Sequence, residues 1–211
     1  MKYGAVIFDL DGTLVDSIPL YKQAYLETLR SFGLRLSEAE FNVIYWENLK
    51  IADVLKKFRL SAQADEVREH RNRLYVDTLR KNVTWFSDAL AMMQTWKGHS
   101  PPIVVTDSWK SFTDAIDARL NLSVFTPIIV TADDSVPHQK PHPHSLLHAA
   151  EKIGIAPEQC LYVGDQMFDI EAARNAGMNE CLIVREHTPK EAVRSAKWVI
   201  HSLEELSKQL V

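Results

Sequence analysis

The chain has 211 residues, 46% of them hydrophobic and 25% charged, which is enough to bury an ordinary globular core without disulfide or metal staples. With 24 Lys+Arg against 28 Asp+Glu the net charge is −4, which disfavours a nucleic-acid partner, since such partners are held by a basic face. No apolar run approaches the about 20 residues that cross a bilayer, so no membrane partner is expected either.

The N-terminal MKYGAVIFDLDG reaches a charged turn too early for a secretory signal and lacks a small-residue cleavage site. Its apolar run, residues 5–8, reads as a strand buried on both faces. Leu20, Ala24, Tyr25, Leu29 and Phe32 then form a helical stripe that ends near Gly33. Ser37 with Glu40 three residues on has the form of a capping box. Ile51, Leu55 and Phe58 mark a further helix, and residues 64–81 a long charged one ending near Asn82. No strand is expected from Asp16 to Trp85, so this block reads as a small all-helical domain inserted after the first strand. Residues 98–102 (GHSPP) read as a loop.

Short apolar runs recur at 103–105, 127–130, 161–163, 182–184 and 198–200. Helical patterns lie between most of them: Leu146, Ala149, Ala150 and Ile153, then Ile170, Ala173, Ala176 and Met178. Alternating strands and helices predict an α/β fold, a Rossmann-like parallel sheet flanked by helices with right-handed crossovers. The expected division is 1–15 and 86–211 for this core and 16–85 for the helical domain. Cys160 and Cys181 belong to no CxxC or zinc pattern and read as small buried hydrophobes of a reducing compartment, so a cytoplasmic location is expected.

The strand ends carry the chemistry. The first run ends in Asp9-Leu10-Asp11-Gly12-Thr13, the second in Thr106-Asp107-Ser108, and the fourth in Gly164-Asp165 with Asp169 following. Lys140 lies in a loop before a helix that begins near Pro143. Ligands of open parallel sheets bind outside the carboxyl ends of the strands, so these groups are expected to converge. Asp9, Asp11, Asp165 and Asp169 together would repel one another, and a divalent cation relieves that repulsion. An all-oxygen set of this kind suits Mg²⁺. Lys140 and Thr106 would supply a cation and a donor for a bound phosphate. One carboxylate can attack phosphorus, and a second, two residues on, can protonate the leaving oxygen and activate water.

Each signal has a plainer reading alone. Asp-x-Asp-Gly occurs in calcium loops, but residues 9–20 do not end in the required Glu. Asp165 alone would read as a helix N-cap, Thr106 as a strand terminus and Lys140 as a surface lysine. Their order on an alternating strand–helix pattern favours function.

DLDGTLVDS at 9–17, VVTDS at 104–108, Lys140 in QKPHP and VGDQMFDIEAARNAG at 163–177 resemble the four motifs of the haloacid dehalogenase-like (HAD) superfamily, in its phosphatase and phosphomutase branch. The resemblance runs over nearly the whole chain. It implies Asp9 as nucleophile, Asp11 as general acid/base, and Thr106 and Lys140, with Asp107 between them in position, at the substrate phosphate. It also implies Mg²⁺ on Asp9, the Asp11 carbonyl and Asp165, with Asp169 in support. The helical insert corresponds to the cap that such proteins carry to exclude water and choose the substrate. Dehalogenases and phosphonate-cleaving members lack the second acid, so Asp11 favours phosphate esters.

The expected partner is a small phosphorylated metabolite and the expected reaction Mg²⁺-dependent hydrolysis through an aspartyl-phosphate. A phosphomutase needs the same acid/base pair and stays open, as does a HAD-fold phosphate-binding protein; the chain reads as a monomer or a homodimer. Four places depart from the resemblance. Asp107 stands where relatives often carry Asn, and a carboxylate there must turn away from phosphate, for instance to cap the helix near Trp109. Trp46-Glu47-Asn48 and Trp85-Phe86-Ser87 replace common Gly-containing segments, and His144 a frequent Asp. His138, His142, His144 and His148 lack an evident metal-ligand pattern and read as surface residues. Tyr21, Tyr25, Tyr45 and Trp46 read mostly as helical-domain core, and Lys50, Lys56 and Arg59 as a solvated face.

Overall fold

A computed structural model describes residues 3–47, 49–60, 62–96 and 101–209. The chain divides into two compact units, one formed by the residues up to Asp16 and from Thr84 onward, the other by Ser17–Val83.

The first unit is built on six strands, β1 Ala5–Phe8, β2 Ile103–Val105, β3 Ile128–Val130, β4 Cys160–Gly164, β5 Asn179–Ile183 and β6 Val199–Ile200. They form one parallel sheet in the order β3-β2-β1-β4-β5-β6. The chain winds outward from β1 to β3, then crosses back to β4 and winds the other way. β1 and β4 therefore flank the point where the winding reverses, and their carboxyl ends open the crevice where such sheets bind ligands. Register sets this closely: Val6 pairs with Leu161 and Phe8 with Val163, so Asp9 and Gly164 leave the sheet side by side.

The second unit holds the four helices α1 Ile18–Ser31, α2 Glu38–Trp46, α3 Ile51–Lys57 and α4 Ala64–Asn82. Ser37 and Glu40 form the expected capping box at the start of α2. Tyr25, Leu29, Phe41, Val54, Leu55 and Val67 make this unit's own core, and Tyr21 takes a hydrogen bond from Arg71 at 2.8 Å. The aromatic stripe thus packs inward; the Trp46 side chain and Asn48 lie outside the described residues.

The remaining helices belong to the first unit: α5 Ser87–Gln94, α6 Lys110–Leu120, α7 Leu122–Phe125, α8 Ala132–Ser135, α9 His144–Ile153, α10 Met167–Asn175, α11 Lys190–Ser195 and α12 Leu203–Gln209. Leu146, Ala149 and Ala150 of α9 join Ala172, Ala173 and the inward residues of β1, β2 and β4 in one core. Leu146 is fully buried, and Leu146→Ala is expected to cost about 2–5 kcal/mol. Urea unfolding with an unchanged m-value checks this; a loss under about 1 kcal/mol would mean that the site collapses to fill the space.

Two expected boundaries differ. Met178 is buried but not helical: α10 stops at Asn175 and the chain turns at Gly177, φ +72°. β5 begins at Asn179, before the apolar run that marked it. Hydropathy hid its start because Glu180 is buried there against Arg174, at 2.6 and 2.7 Å. Of the expected GHSPP loop, residues 98–100 lie outside the described residues, and Pro101 and Pro102 lead into β2.

Candidate active site

Asp9 leaves β1 with its N–H donated to the Val163 carbonyl at 2.8 Å. The chain then folds tightly, because Leu14 and Val15 both donate to the Leu10 carbonyl, at 3.0 and 3.1 Å. Gly12 sits at φ +81°, a backbone state that side chains strain. A Cβ there would lie 2.5 Å from His187 Nε2 and 2.9 Å from Asp165 Oδ2. Gly12→Ala is therefore expected to cost stability and to push Asp165 and His187 apart. Turnover should fall at least about 10²-fold, the scale of a 1 Å misplacement. Near-normal turnover in a phosphate-release assay would show that the loop relaxes freely.

Lys140 lies at the centre. Its side chain is 1% exposed, and Nζ donates to Asp9 Oδ1 at 2.7 Å, Asp169 Oδ1 at 2.6 Å and the Tyr162 hydroxyl at 3.0 Å. Tyr162 in turn donates to the Val105 carbonyl at 3.1 Å. The lysine read as a phosphate ligand is thus also the cation paired with Asp9. Its backbone N–H donates to Asp107 Oδ2 at 3.1 Å.

That contact corrects the reading of Asp107 as the cap of the helix near Trp109. Asp107 turns toward the Lys140 loop, and the first N–H of α6, Lys110 N, is capped by Asp133 Oδ2 at 2.6 Å. A carboxylate suits Asp107's position because it accepts a backbone N–H there.

Asp169 has both oxygens engaged. Oδ1 takes Lys140, and Oδ2 accepts from the backbone N–H groups of Asp165 and Gln166 at 3.2 and 3.0 Å, closing the capping box of α10. Asp165 accepts from Thr13 Oγ1 on Oδ1 at 2.8 Å, and from Gln166 Nε2 on Oδ2 at 2.6 Å. His187 Nε2 lies 2.8 Å from the same Oδ2. Oxygens of Asp9, Asp165 and Asp169, all buried, lie within 4.8 Å of one another.

The Asp11 carboxylate is not part of that trio. Its Oδ2 accepts from Ser108 Oγ at 2.6 Å and Thr106 Oγ1 at 3.2 Å, so two hydroxyls from the end of β2 hold it in place. The two acids of the DLDG stretch are separated by environment: one is paired with an ammonium, the other with hydroxyls. Thr106 thereby contacts the acid; its own N–H donates to the Val130 carbonyl at 2.9 Å.

The electrostatics follow from burial. Burial holds the Asp9 carboxyl well above the usual carboxylate range; Lys140 opposes this, while Asp169, Asp165 and Asp11 add to it. Asp169 is raised by burial too, with Lys140 opposing and Asp165 adding. Burial works against the Lys140 charge, but the carboxylates of Asp169 and Asp9 outweigh it and hold Lys140 protonated. Burial likewise raises Asp107. One ammonium among three close carboxylates leaves negative charge to spare, and the donors are all hard oxygens, so the residues fit a divalent cation such as Mg²⁺.

Four residues of this site carried no role in the sequence: Tyr162, Gln166, Ser108 and His187. Ser108 and Gln166 lie inside the motifs at 104–108 and 163–177, where a hydroxyl and an amide beside the acids are a readable signal. Tyr162 read as strand core, and nothing marked a loop histidine 22 residues beyond Asp165. Of the other histidines, His138, His142 and His144 are exposed and lie outside this site: His138 and His142 stack at 4.2 Å between ring centroids, and His142 Nδ1 accepts the His144 N–H at 3.2 Å.

The model of the haloacid dehalogenase-like hydrolase family matches residues 6–183. The fructose-1-phosphate phosphatase YqaB of Escherichia coli K12 is 31% identical over 182 residues, 84% of this chain and 95% of that protein. A phosphoglycolate phosphatase of the same strain is 32% identical over 200 residues, 82% of this chain and 77% of that protein. Among solved structures, a HAD hydrolase of family IA, variant 3, from Entamoeba histolytica aligns with TM-score 0.85 at 23% identity, covering 98% of this chain and 96% of that one. CbbY from Rhodobacter sphaeroides, solved with phosphate, aligns with TM-score 0.82 at 18% identity, covering 97% of this chain and 96% of that one. A buried aspartate at the end of β1, a second acid two residues on and a family match across the α/β unit lead to one conclusion: the chain belongs to the haloacid dehalogenase-like hydrolases, in their phosphatase branch.

Proposed function

We propose that the chain hydrolyses a small phosphorylated metabolite in a Mg²⁺-dependent reaction, through an aspartyl-phosphate on Asp9. The observation that carries this is the division of labour between Asp9, buried on Lys140, and Asp11, held by Ser108 and Thr106. An Asp9 oxygen attacks phosphorus, the bond from phosphorus to the ester oxygen breaks, and Asp11 gives that oxygen its proton. Asp11 then takes a proton from the water that attacks the acyl phosphate, which frees phosphate and restores Asp9. Lys140, with Thr106, balances the negative charge of the phosphoryl group. Asp9, Asp165 and the Asp11 carbonyl are the candidate holders of the cation, with Asp169 orienting them; bound there, the cation would neutralise charge on the transferring group.

Substrate choice falls to the helical unit, by its resemblance to the caps of such enzymes. Two free, buried thiols, Cys160 and Cys181, fit a reducing compartment, and the reading places the protein in the cytoplasm as a monomer or homodimer.

The test is a panel of phosphorylated metabolites, with fructose 1-phosphate and phosphoglycolate first because relatives carry those names. Each is assayed for inorganic phosphate and for isomerised product, with and without Mg²⁺. Mg²⁺-dependent phosphate release is expected; isomerised product without phosphate would replace hydrolysis by a mutase reaction. Asp11→Asn should slow turnover at least about 10²-fold with poor leaving groups, the scale of general acid/base catalysis. An unchanged rate removes Asp11 from that role.

A further inference from the structure

We propose that His187 is a nitrogen ligand of the divalent-cation centre, so that this centre binds cations such as Co²⁺ and Mn²⁺ more tightly, relative to Mg²⁺, than an all-oxygen site would. The inference rests on the reading of Asp165 as a cation ligand.

His187 is aimed rather than loosely exposed. It lies in the turn after β5, where Arg185 N–H donates to Thr188 Oγ1 at 2.9 Å and Thr188 N–H to the Arg185 carbonyl at 3.1 Å. The Arg185 guanidinium pins the turn to the nucleophile loop: it donates to the Thr13 carbonyl at 2.9 Å and to Asp88 at 3.0 Å, and it stacks on Phe86 at 4.0 Å. The imidazole, 20% exposed, then fills the space that Gly12 leaves by lacking a Cβ. The glycine that lets the Asp9–Asp11 loop turn also admits this ring.

Nε2 stands 2.8 Å from Asp165 Oδ2. Ligands about 2.1 Å from a metal and adjacent in an octahedron lie about 3 Å apart, so nitrogen and oxygen are spaced as neighbouring ligands. Two lone pairs at that distance repel unless something positive lies between them. Without a cation it is a proton, in the hydrogen bond; with one, the ring would carry its proton on Nδ1 and Nε2 would offer its lone pair to the cation, any surplus proton passing to solvent. Thr13 and Gln166 keep Asp165 oriented meanwhile, each on its own oxygen. Imidazole favours first-row transition metals over Mg²⁺, and the preference grows from Mn²⁺ toward Co²⁺ and beyond.

The experiment loads the full-length protein with Mn²⁺ and records pulsed EPR, which detects ¹⁴N bound to the metal, alongside titrations with Co²⁺ and Mg²⁺. The wild type should give ¹⁴N modulation. His187→Gln, which keeps a donor toward Asp165, should lose the modulation and at least about 10-fold in Co²⁺ affinity, with a smaller change for Mg²⁺. His187→Ala should give the same ratio of affinities. Mn²⁺ bound without ¹⁴N modulation, or a Co²⁺ to Mg²⁺ ratio unmoved by His187→Gln, overturns the assignment while leaving the phosphatase reading intact. ¹⁴N modulation that survives both His187→Gln and Asp165→Asn comes from a histidine outside this site, such as the exposed His138, His142 or His144, and also overturns it. Mn²⁺ binding that Asp165→Asn does not weaken removes the cation centre itself, and the Mg²⁺-dependent reading falls with it.

Discussion

Asp9→Asn is expected to abolish turnover and, in EDTA, to raise the melting temperature. The first effect follows from the proposed mechanism: an amide oxygen is a poor nucleophile, and losing the nucleophile of a hydrolase costs about 10⁵-fold or more. The second follows from the site's electrostatics. Burial, together with Asp169, Asp165 and Asp11, places the folded-state pKa of Asp9 above its unfolded value, against the pull of Lys140. A group shifted this way contributes stability at acid pH, below the unfolded value, and loses it as pH rises through the folded value. At neutral pH without metal the charge at Asp9 is therefore a burden, which the near-isosteric amide removes. The advantage of Asp9→Asn should vanish toward the acid end of a pH series and shrink when Mg²⁺ is added to the wild type, since a cation bound by the carboxylate stabilises the folded state. Melting curves in EDTA and in Mg²⁺ at several pH values measure both trends. A lower melting temperature for Asp9→Asn in EDTA at neutral pH would mean that the Lys140–Asp9 pair outweighs the crowding of carboxylates.

Lys140→Met should act in the opposite direction on stability and in the same direction on rate. Methionine fills similar volume, so packing is largely kept, but Asp9 and Asp169 lose the ammonium they share at 2.7 and 2.6 Å. Removing one partner of a buried ion pair costs about 3–5 kcal/mol, because the remaining charge is stranded. Here two carboxylates would be stranded, and the Tyr162 hydroxyl would lose a donor. The folded-state pKa of Lys140 is raised, so its stabilisation is present throughout the range below the ordinary lysine value and is lost only as pH rises through the folded value. The gap between wild type and Lys140→Met should thus persist at neutral pH and narrow in alkali. Turnover should fall about 10²–10³-fold, as when one charge-stabilising donor is removed from a transition state. A variant that loses rate but no stability would confine Lys140 to substrate binding. Asp169→Asn separates the two duties, since it takes one anchor from Lys140 while leaving the α10 cap an oxygen acceptor.

Much of the fold was legible because its signals are local. Short apolar runs marked the strands, which lie where those runs stand except that β5 starts earlier; the runs that open the site end in acids or hydroxyls. There hydropathy misled, because Glu180 is buried only by virtue of Arg174, a pairing no window of hydrophobicity detects. The Ser37 capping box was readable since its partners are three residues apart. At the site, the residue types and their order pointed to two acids, further carboxylates and a lysine brought together, because three of the four motifs sit at strand ends and the lysine lies in a loop.

By itself the sequence determined the α/β class, the helical block between the first two strands and the acids and lysine of the site, since periodicity and motif order are written in neighbouring residues. The tertiary structure decided who pairs with whom. Lys140 reaches Asp9 across 131 residues, Thr13 reaches Asp165 across 152, and Ser108 reaches Asp11 across 97. It turned Asp107 to the Lys140 backbone and brought His187 against Asp165. Such contacts depend on strand order and register, which bring distant strand ends within about 5 Å of one another, and no local pattern encodes that distance.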